Sequence, residues 1–340
     1  MVTQNFIIVI VPLIFWIGSI SDGGDKFMKR VLVLGATGGT GSAIVQELLS
    51  KHRQVVVFGR SLEKLKQRWP SATDWRVGDV FDYQSIVAAG KDCETIFQCA
   101  AIPYHLTTSQ QLPLGKSVMH AAQILKSRVV FIDGIYAYGA TLGRPVRETD
   151  PLKPVSKKGA IKRDLAELLF SRQYQDVAVA LMRLPDYYGP TARKSSYLGM
   201  TLIGIAKRQP TIFIGRQSVA REFVYLPDAA KMIVQLADKT SAYHQAWNIP
   251  GQKITGRELV RLAKQDAGSW APVMSLTKPL LRICGWFDAD IREIVEMAYL
   301  TEKPVFLDGQ KLRKTIGPIA ATPFSVGIAQ TIASLRNQRH

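Results

Sequence analysis

The sequence predicts an α/β fold: a doubly wound parallel sheet with a smaller, mostly helical C-terminal region. Three observations lead there. Val31-Leu32-Val33-Leu34 is an unbroken aliphatic run, the pattern of a strand buried on both faces. A glycine-rich turn and a segment of helical periodicity follow it directly. Strand-like and helix-like segments then alternate as far as about residue 190, the rhythm of parallel strands joined by crossover helices. With 340 residues, 47% of them hydrophobic, the chain is long enough for one large or two smaller domains.

The turn reads Gly35-Ala36-Thr37-Gly38-Gly39-Thr40-Gly41. After it, Ile44, Val45, Leu48 and Leu49 recur at helical spacing. Strand, glycine turn and helix together form the context for dinucleotide binding. Gly35 suits a tight turn, Gly38 lets backbone approach a pyrophosphate, and Gly41 permits close helix–strand packing. The helix N-terminus then offers free N–H groups to phosphate. The spacing is G-x-x-G-x-x-G rather than G-x-G-x-x-G, and a bare turn is the plain alternative.

The next strand, Gln54 to Phe58, ends in Gly59-Arg60-Ser61. An NAD-binding domain usually offers an acid here to the ribose 2′-hydroxyl. Arg60 instead suits a 2′-phosphate, so the expected cofactor is NADP(H), with NAD as the lesser option. The alternative is a surface residue beside the next helix, for which Ser61 is the N-cap. Trp75 to Val80 reads as a third strand with Asp79 at its end. Cys93 to Gln98 reads as a fourth that exits through Cys99, Ala100 and Ala101. Leu114 to Leu125 reads as a helix and Arg128 to Asp133 as a fifth strand. Lys158 to Ser171 reads as a helix and Val177 to Leu184 as a sixth strand. Ligands of such sheets sit at the C-terminal strand ends. That edge collects the glycine turn, Arg60, Asp79, Ala100, Ala101 and Asp133 to Gly139.

Beyond residue 190 the rhythm weakens. Helices are expected near Ser196–Lys207, Pro227–Ala237, from Thr255, at Ile291–Tyr299 and at Pro323–Leu335, with short strands at Thr211–Ile214 and Glu222–Tyr225. The division read from this is an extension (1–27), a nucleotide-binding domain (28–190) and a substrate-binding region packed on the sheet edge (191–340).

The formal net charge is +17. Dense Lys/Arg runs with interleaved aromatics are lacking, which argues against a nucleic-acid partner. A generally basic surface, or an anionic small-molecule ligand, accounts for the balance. The three cysteines show no metal spacing and fit reduced core residues of a cytoplasmic protein; no metal site is expected. Phe6 to Ile20 is apolar but shorter than the roughly 18 residues of a spanning helix, with no cation before it. Either translation starts naturally at Met28, or the segment is a membrane anchor that leaves the body in the cytoplasm.

From Met28 onward the residues resemble the extended short-chain dehydrogenases/reductases, the NAD(P)-dependent epimerases and dehydratases. The resemblance rests on five ordered motifs: the glycine turn; Gly78-Asp79-Val80; Phe131 to Gly139; Arg183-Leu-Pro-Asp-Tyr-Tyr-Gly-Pro190; and Arg221-Glu-Phe-Val-Tyr-Leu-Pro-Asp228. It implies a Rossmann-type fold, adenine contacts from Asp79 and Val80, and an anion-binding role for Arg221. It also admits a homodimer. The family's catalytic Tyr-x-x-x-Lys falls on Lys158 and Lys162, and its Ser/Thr on Gly134. Two of three catalytic groups are therefore replaced, as in an atypical subgroup. Lys162 is expected to hold the nicotinamide ribose.

Two functions follow. The first is an oxidoreductase or epimerase-like enzyme using a non-standard acid/base, with Tyr138, Tyr136 and Lys162 as catalytic candidates and Tyr104 and Arg221 facing a small-molecule substrate. Each tyrosine has core packing as its alternative. Lys158 is a further acid/base candidate if burial and Lys162 nearby depress its pKa; the favoured reading is a solvated helix residue. The second is an inactive NADP(H)-binding or sensing protein.

Overall fold

The computed structural model describes residues 30–70, 74–141, 143–284, 295–318 and 320–337. The apolar run Phe6–Ile20 and the start of the helix expected at Ile291 lie outside them. The first half alternates as the sequence predicts: β1 (Arg30–Leu34), α1 (Gly39–Ser50), β2 (Gln54–Gly59), α2 (Leu62–Arg68), β3 (Asp74–Val77), α3 (Tyr83–Ala89), β4 (Thr95–Gln98), α4 (Thr107–Leu125), β5 (Arg128–Gly134), α5 (Lys157–Leu169) and β6 (Val179–Leu184). Then follow β7 (Asp186–Tyr188), α6 (Gly199–Ala206), β8 (Thr211–Ile214), β9 (Ala220–Tyr225), α7 (Leu226–Ala237), β10 (Gln245–Asn248) and β11 (Gln252–Thr255). The chain continues through α8 (Gly256–Ala267), β12 (Val273–Leu276), α9 (Lys278–Cys284), α10 (Tyr299–Glu302), α11 (Gln310–Ile316) and α12 (Phe324–Asn337).

Seven parallel strands form the main sheet in the order β10-β6-β5-β4-β1-β2-β3. The order reverses at β1, between β2 and β4, so the crevice for a ligand opens above the C-terminal end of β1. Helices cover both faces. Val31 and Val33 point into a core with α1 and α7, Leu32 and Leu34 into one with α3, α4 and α5. All four are fully buried. Each contributes about 1.5–3 kcal/mol of transfer free energy, which pins β1 at the centre of the sheet.

Helix α7 and strand β10 follow residue 190 yet return to the main sheet: α7 packs on α1 and β10 adds the seventh strand. The remaining residues surround a separate core of Leu198, Leu202, Phe213, Phe223 and Leu259, with Ile328 from α12. That region also holds a three-stranded sheet, β11-β9-β7, and a two-stranded one, β12-β8. Helix α4 starts at Thr107, earlier than expected, and runs through Pro113. A proline lacks one ladder donor, and the packing of Leu114, Val118 and Met119 outweighs that loss. Among the described residues no helix is long and apolar enough to cross a membrane.

Candidate active site

The glycine turn lies where the sheet order reverses. Gly35 has φ of +73°, and a Cβ there would stand 2.5 Å from the Cα of Ala100, so only glycine fits. Gly38 is the N-cap of α1, and no side chain caps this helix. The first-turn N–H groups of Gly39, Thr40 and Gly41 therefore face the crevice without a side-chain acceptor, which fits a phosphate. Thr37 accepts a hydrogen bond at its carbonyl from Arg193, and the Thr40 hydroxyl bonds Tyr187. Arg68 reaches Ser42 at 3.4 Å. Burial, and after it repulsion from Arg193, pull Arg68 below the usual guanidinium value. An anion between these two cations relieves that repulsion. Neither arginine was legible as a site residue, since nothing local marks it.

Arg60 is exposed one residue past β2. Asp79 is exposed and its carboxylate accepts the Phe81 N–H at 3.0 Å, which shapes the turn after β3. Val80 packs against the α3–α4 core, while Ala100 and Ala101 line the exit of β4.

A second cluster stands at the C-terminal ends of β4, β5 and β6. The Tyr104 hydroxyl donates to Tyr136. Burial raises both phenols well above the usual range; Asp186 pushes Tyr136 further up and Arg221 opposes it. Both stay protonated at neutral pH, so they are hydrogen-bond donors there and not bases. Arg221 is 5% exposed, pairs with Asp186 and stacks 3.8 Å over the Tyr197 ring. Burial lifts the Asp186 carboxyl, against the opposing pull of Arg221. Neither Asp186 nor Tyr197 was legible as a site residue, because their pairing with Arg221 spans distant segments.

One expectation needs correction. Lys158 is not solvated: it is 1% exposed, its Nζ lies 3.2 Å from Glu296, and it stands 4.6 Å from the centre of the Tyr104 ring. The other Glu296 oxygen accepts the Lys157 N–H at the start of α5. No sequence signal joins positions this far apart. Tyr138, read as a catalytic candidate, is 3% exposed and shares a hydrophobic cluster with Tyr104 and Tyr136. Its hydroxyl donates to Asn248 at 2.7 Å and accepts from Arg183 at 3.1 Å, all three side chains being buried. Tyr136 and Tyr138 lie in a short 3-10 turn, whose roughly three residues per turn send them to different neighbours.

Lys162 lies one helical turn beyond Lys158. Its Nζ is 2.5 Å from Asp133 and 2.8 Å from Gln111. At Gly134, which the resemblance sets at a Ser/Thr position, an added Cβ would meet no atom within 4 Å. A cavity of about 370 Å³ lies elsewhere, lined by Glu222, Asp228, Pro250 and Lys253 among others. Residues alternate across a strand, so Arg221 faces the tyrosines while Glu222 faces this cavity.

The family model for the NAD dependent epimerase/dehydratase family matches residues 31–249. No curated protein shows significant sequence similarity to the chain. Among solved structures, a dTDP-glucose 4,6-dehydratase from Streptomyces venezuelae, bound to NAD, is 20% identical with a TM-score of 0.74 over 91% of this chain and 98% of that one. A UDP-glucuronic acid 4-epimerase from Bacillus cereus, in complex with NAD, is 18% identical with a TM-score of 0.72 over 90% and 98%. A UDP-N-acetylglucosamine 4-epimerase from Bacillus cereus is 16% identical with a TM-score of 0.72 over 92% and 98%. At these identities the likeness establishes the fold.

Proposed function

The chain belongs to the NAD dependent epimerase/dehydratase family, and from that premise we propose that it is an NADP(H)-preferring oxidoreductase or epimerase-like enzyme acting on a small molecule. One observation carries the reading. Tyr104, Tyr136, Lys158, Asp186 and Arg221 converge at the strand ends beside an uncapped, glycine-lined helix N-terminus. Such convergence of donors and charges in a crevice is the pattern of a reaction centre.

The first turn of α1, with Arg68 and Arg193 beside it, would hold the pyrophosphate. Arg60 would hold the 2′-phosphate, Asp79 and Val80 the adenine, and Lys162 the nicotinamide ribose. A bound nicotinamide supplies hydride transfer. The chain's own residues then orient the substrate and manage its proton. Tyr136, protonated and accepting from Tyr104, presents its O–H donor to a substrate oxygen. Arg221, held by Asp186, has a buried Nη1 without a protein acceptor, which suits an anionic substrate group.

A second reading, an inactive NADP(H)-binding protein, draws support from Gly134 and Lys158, which stand where the family has its hydroxyl and its tyrosine. Either reading requires the cofactor. Titration of the full chain with NADPH and NADH, followed by cofactor fluorescence, is expected to give tighter binding of NADPH. Equal affinities overturn the preference, and failure to bind either overturns both readings.

A further inference from the structure

We propose that Asp133 is a positioning residue for the nicotinamide end of the cofactor, acting through Lys162; the inference rests on the dinucleotide-binding reading above. Asp133 sits at the C-terminal end of β5, with a side chain 2% exposed. Its carboxylate holds Lys162 of α5 at 2.5 Å, and Gln111 of α4 holds the same Nζ at 2.8 Å. Three elements therefore converge on one ammonium.

An ammonium has three N–H bonds in fixed tetrahedral directions. Gln111 takes one of them, and the buried Asp133 carboxylate, ion-paired to the same ammonium, holds it in place. A lysine left to itself samples many rotamers, and ordering it on binding costs free energy. Held from behind by a buried amide and a buried carboxylate, Lys162 is ordered before any ligand arrives. Its remaining donors suit a vicinal diol such as a ribose. Asp133 is itself too buried to touch the ligand, so its effect passes through Lys162. The anchor stands on a strand paired on both sides by β4 and β6, which makes the placement rigid. The two other groups of the family's catalytic set are replaced at Gly134 and Lys158. Lys162 is the group retained, and Asp133 with Gln111 aims it.

The test compares NADPH with adenosine 2′,5′-bisphosphate, which carries the adenine half of the cofactor and lacks the nicotinamide ribose. Affinities of the full chain for both are measured by fluorescence and calorimetry, for the parent, Asp133→Asn, Lys162→Met and the double variant. Each single variant is expected to lose about tenfold in NADPH affinity, the size of a lost charge-assisted contact. The double variant is expected to bind no more weakly than Lys162→Met, and bisphosphate affinity to stay at the parent value throughout. Unchanged NADPH affinity in Asp133→Asn overturns the proposal. So do losses that add in the double variant, or an equal loss of bisphosphate, which marks a general structural role. Should Asp133→Asn not fold, Gln111→Leu must show the same NADPH-selective loss or the proposal falls. A parent that binds neither ligand overturns the dinucleotide reading itself, an outcome distinct from all of these.

Discussion

At the scale of single residues, charge pairing decides what each side chain can do. Arg60 is exposed, and among the described residues no acid is paired with its guanidinium, so a phosphate in reach would meet an available cation. Arg60→Ala is expected to weaken NADPH binding by about tenfold while NADH binding changes little, since only NADPH carries the 2′-phosphate. Equal losses in the two titrations would refute that role. Lys158 and Arg221 differ from Arg60: each is buried against an acid, Glu296 and Asp186. Removing one partner of such a pair leaves a buried uncompensated charge, so these pairs are fixed parts of the pocket. The legibility of the site follows the same division. The glycine turn and Arg60 carry local signals, and the family motif places Lys162, so these are expected from sequence. Glu296, Asp133 and Asp186 matter through partners in other elements, and spacing along the chain holds no trace of that.

At the scale of elements, strand β9 joins two environments. Arg221 serves the tyrosine cluster, while the Glu222 carboxylate accepts the N–H groups of Gly251 and Leu307, each at 2.7 Å. Glu222 thus ties β9 to the turn before β11 and to the segment before α11. Burial pushes its carboxyl up from 4.5 to about 7, against these two hydrogen bonds and Lys253. A raised carboxyl means the folded chain keeps a proton that the unfolded chain has lost. The stabilising contribution is therefore complete below the unfolded value and disappears as pH rises through about 7. Urea unfolding is expected to show a loss on the order of 1–3 kcal/mol across that window. Glu222→Gln is expected to flatten this slope; identical slopes in parent and variant would remove Glu222 as its source. Elements themselves were legible where periodicity is strong. Ser61 caps α2 as expected, accepting the Lys64 N–H, and Pro227 opens α7. Strand β10 was missed because Gln-Ala-Trp-Asn is too short to show alternation, and its place beside β6 is decided by packing of Trp247 in the core.

At the scale of the whole molecule, the fold turns on β1 being paired from its first residue. Arg30 to Leu34 run in register with Gln54 to Phe58 on one side, and Val31 to Leu34 with Thr95 to Gln98 on the other. Arg30 itself is tied to Asp74 at 2.8 Å, which anchors the start of the strand to β3 two strands away. The central strand thus meets its neighbours without slack, and both helical layers close over it from residues further along the chain. A chain beginning at Met28 keeps every one of these contacts. Removal of residues 1–27 is accordingly expected to leave a folded protein with the NADPH affinity of the full chain, measured by thermal unfolding and fluorescence titration. Retained folding and affinity would mean that the central strand and its two cores are sufficient for the nucleotide site. Aggregation or lost binding would mean that the apolar stretch Phe6 to Ile20 completes a surface the sheet needs, and the extension would then have to be counted as part of the fold.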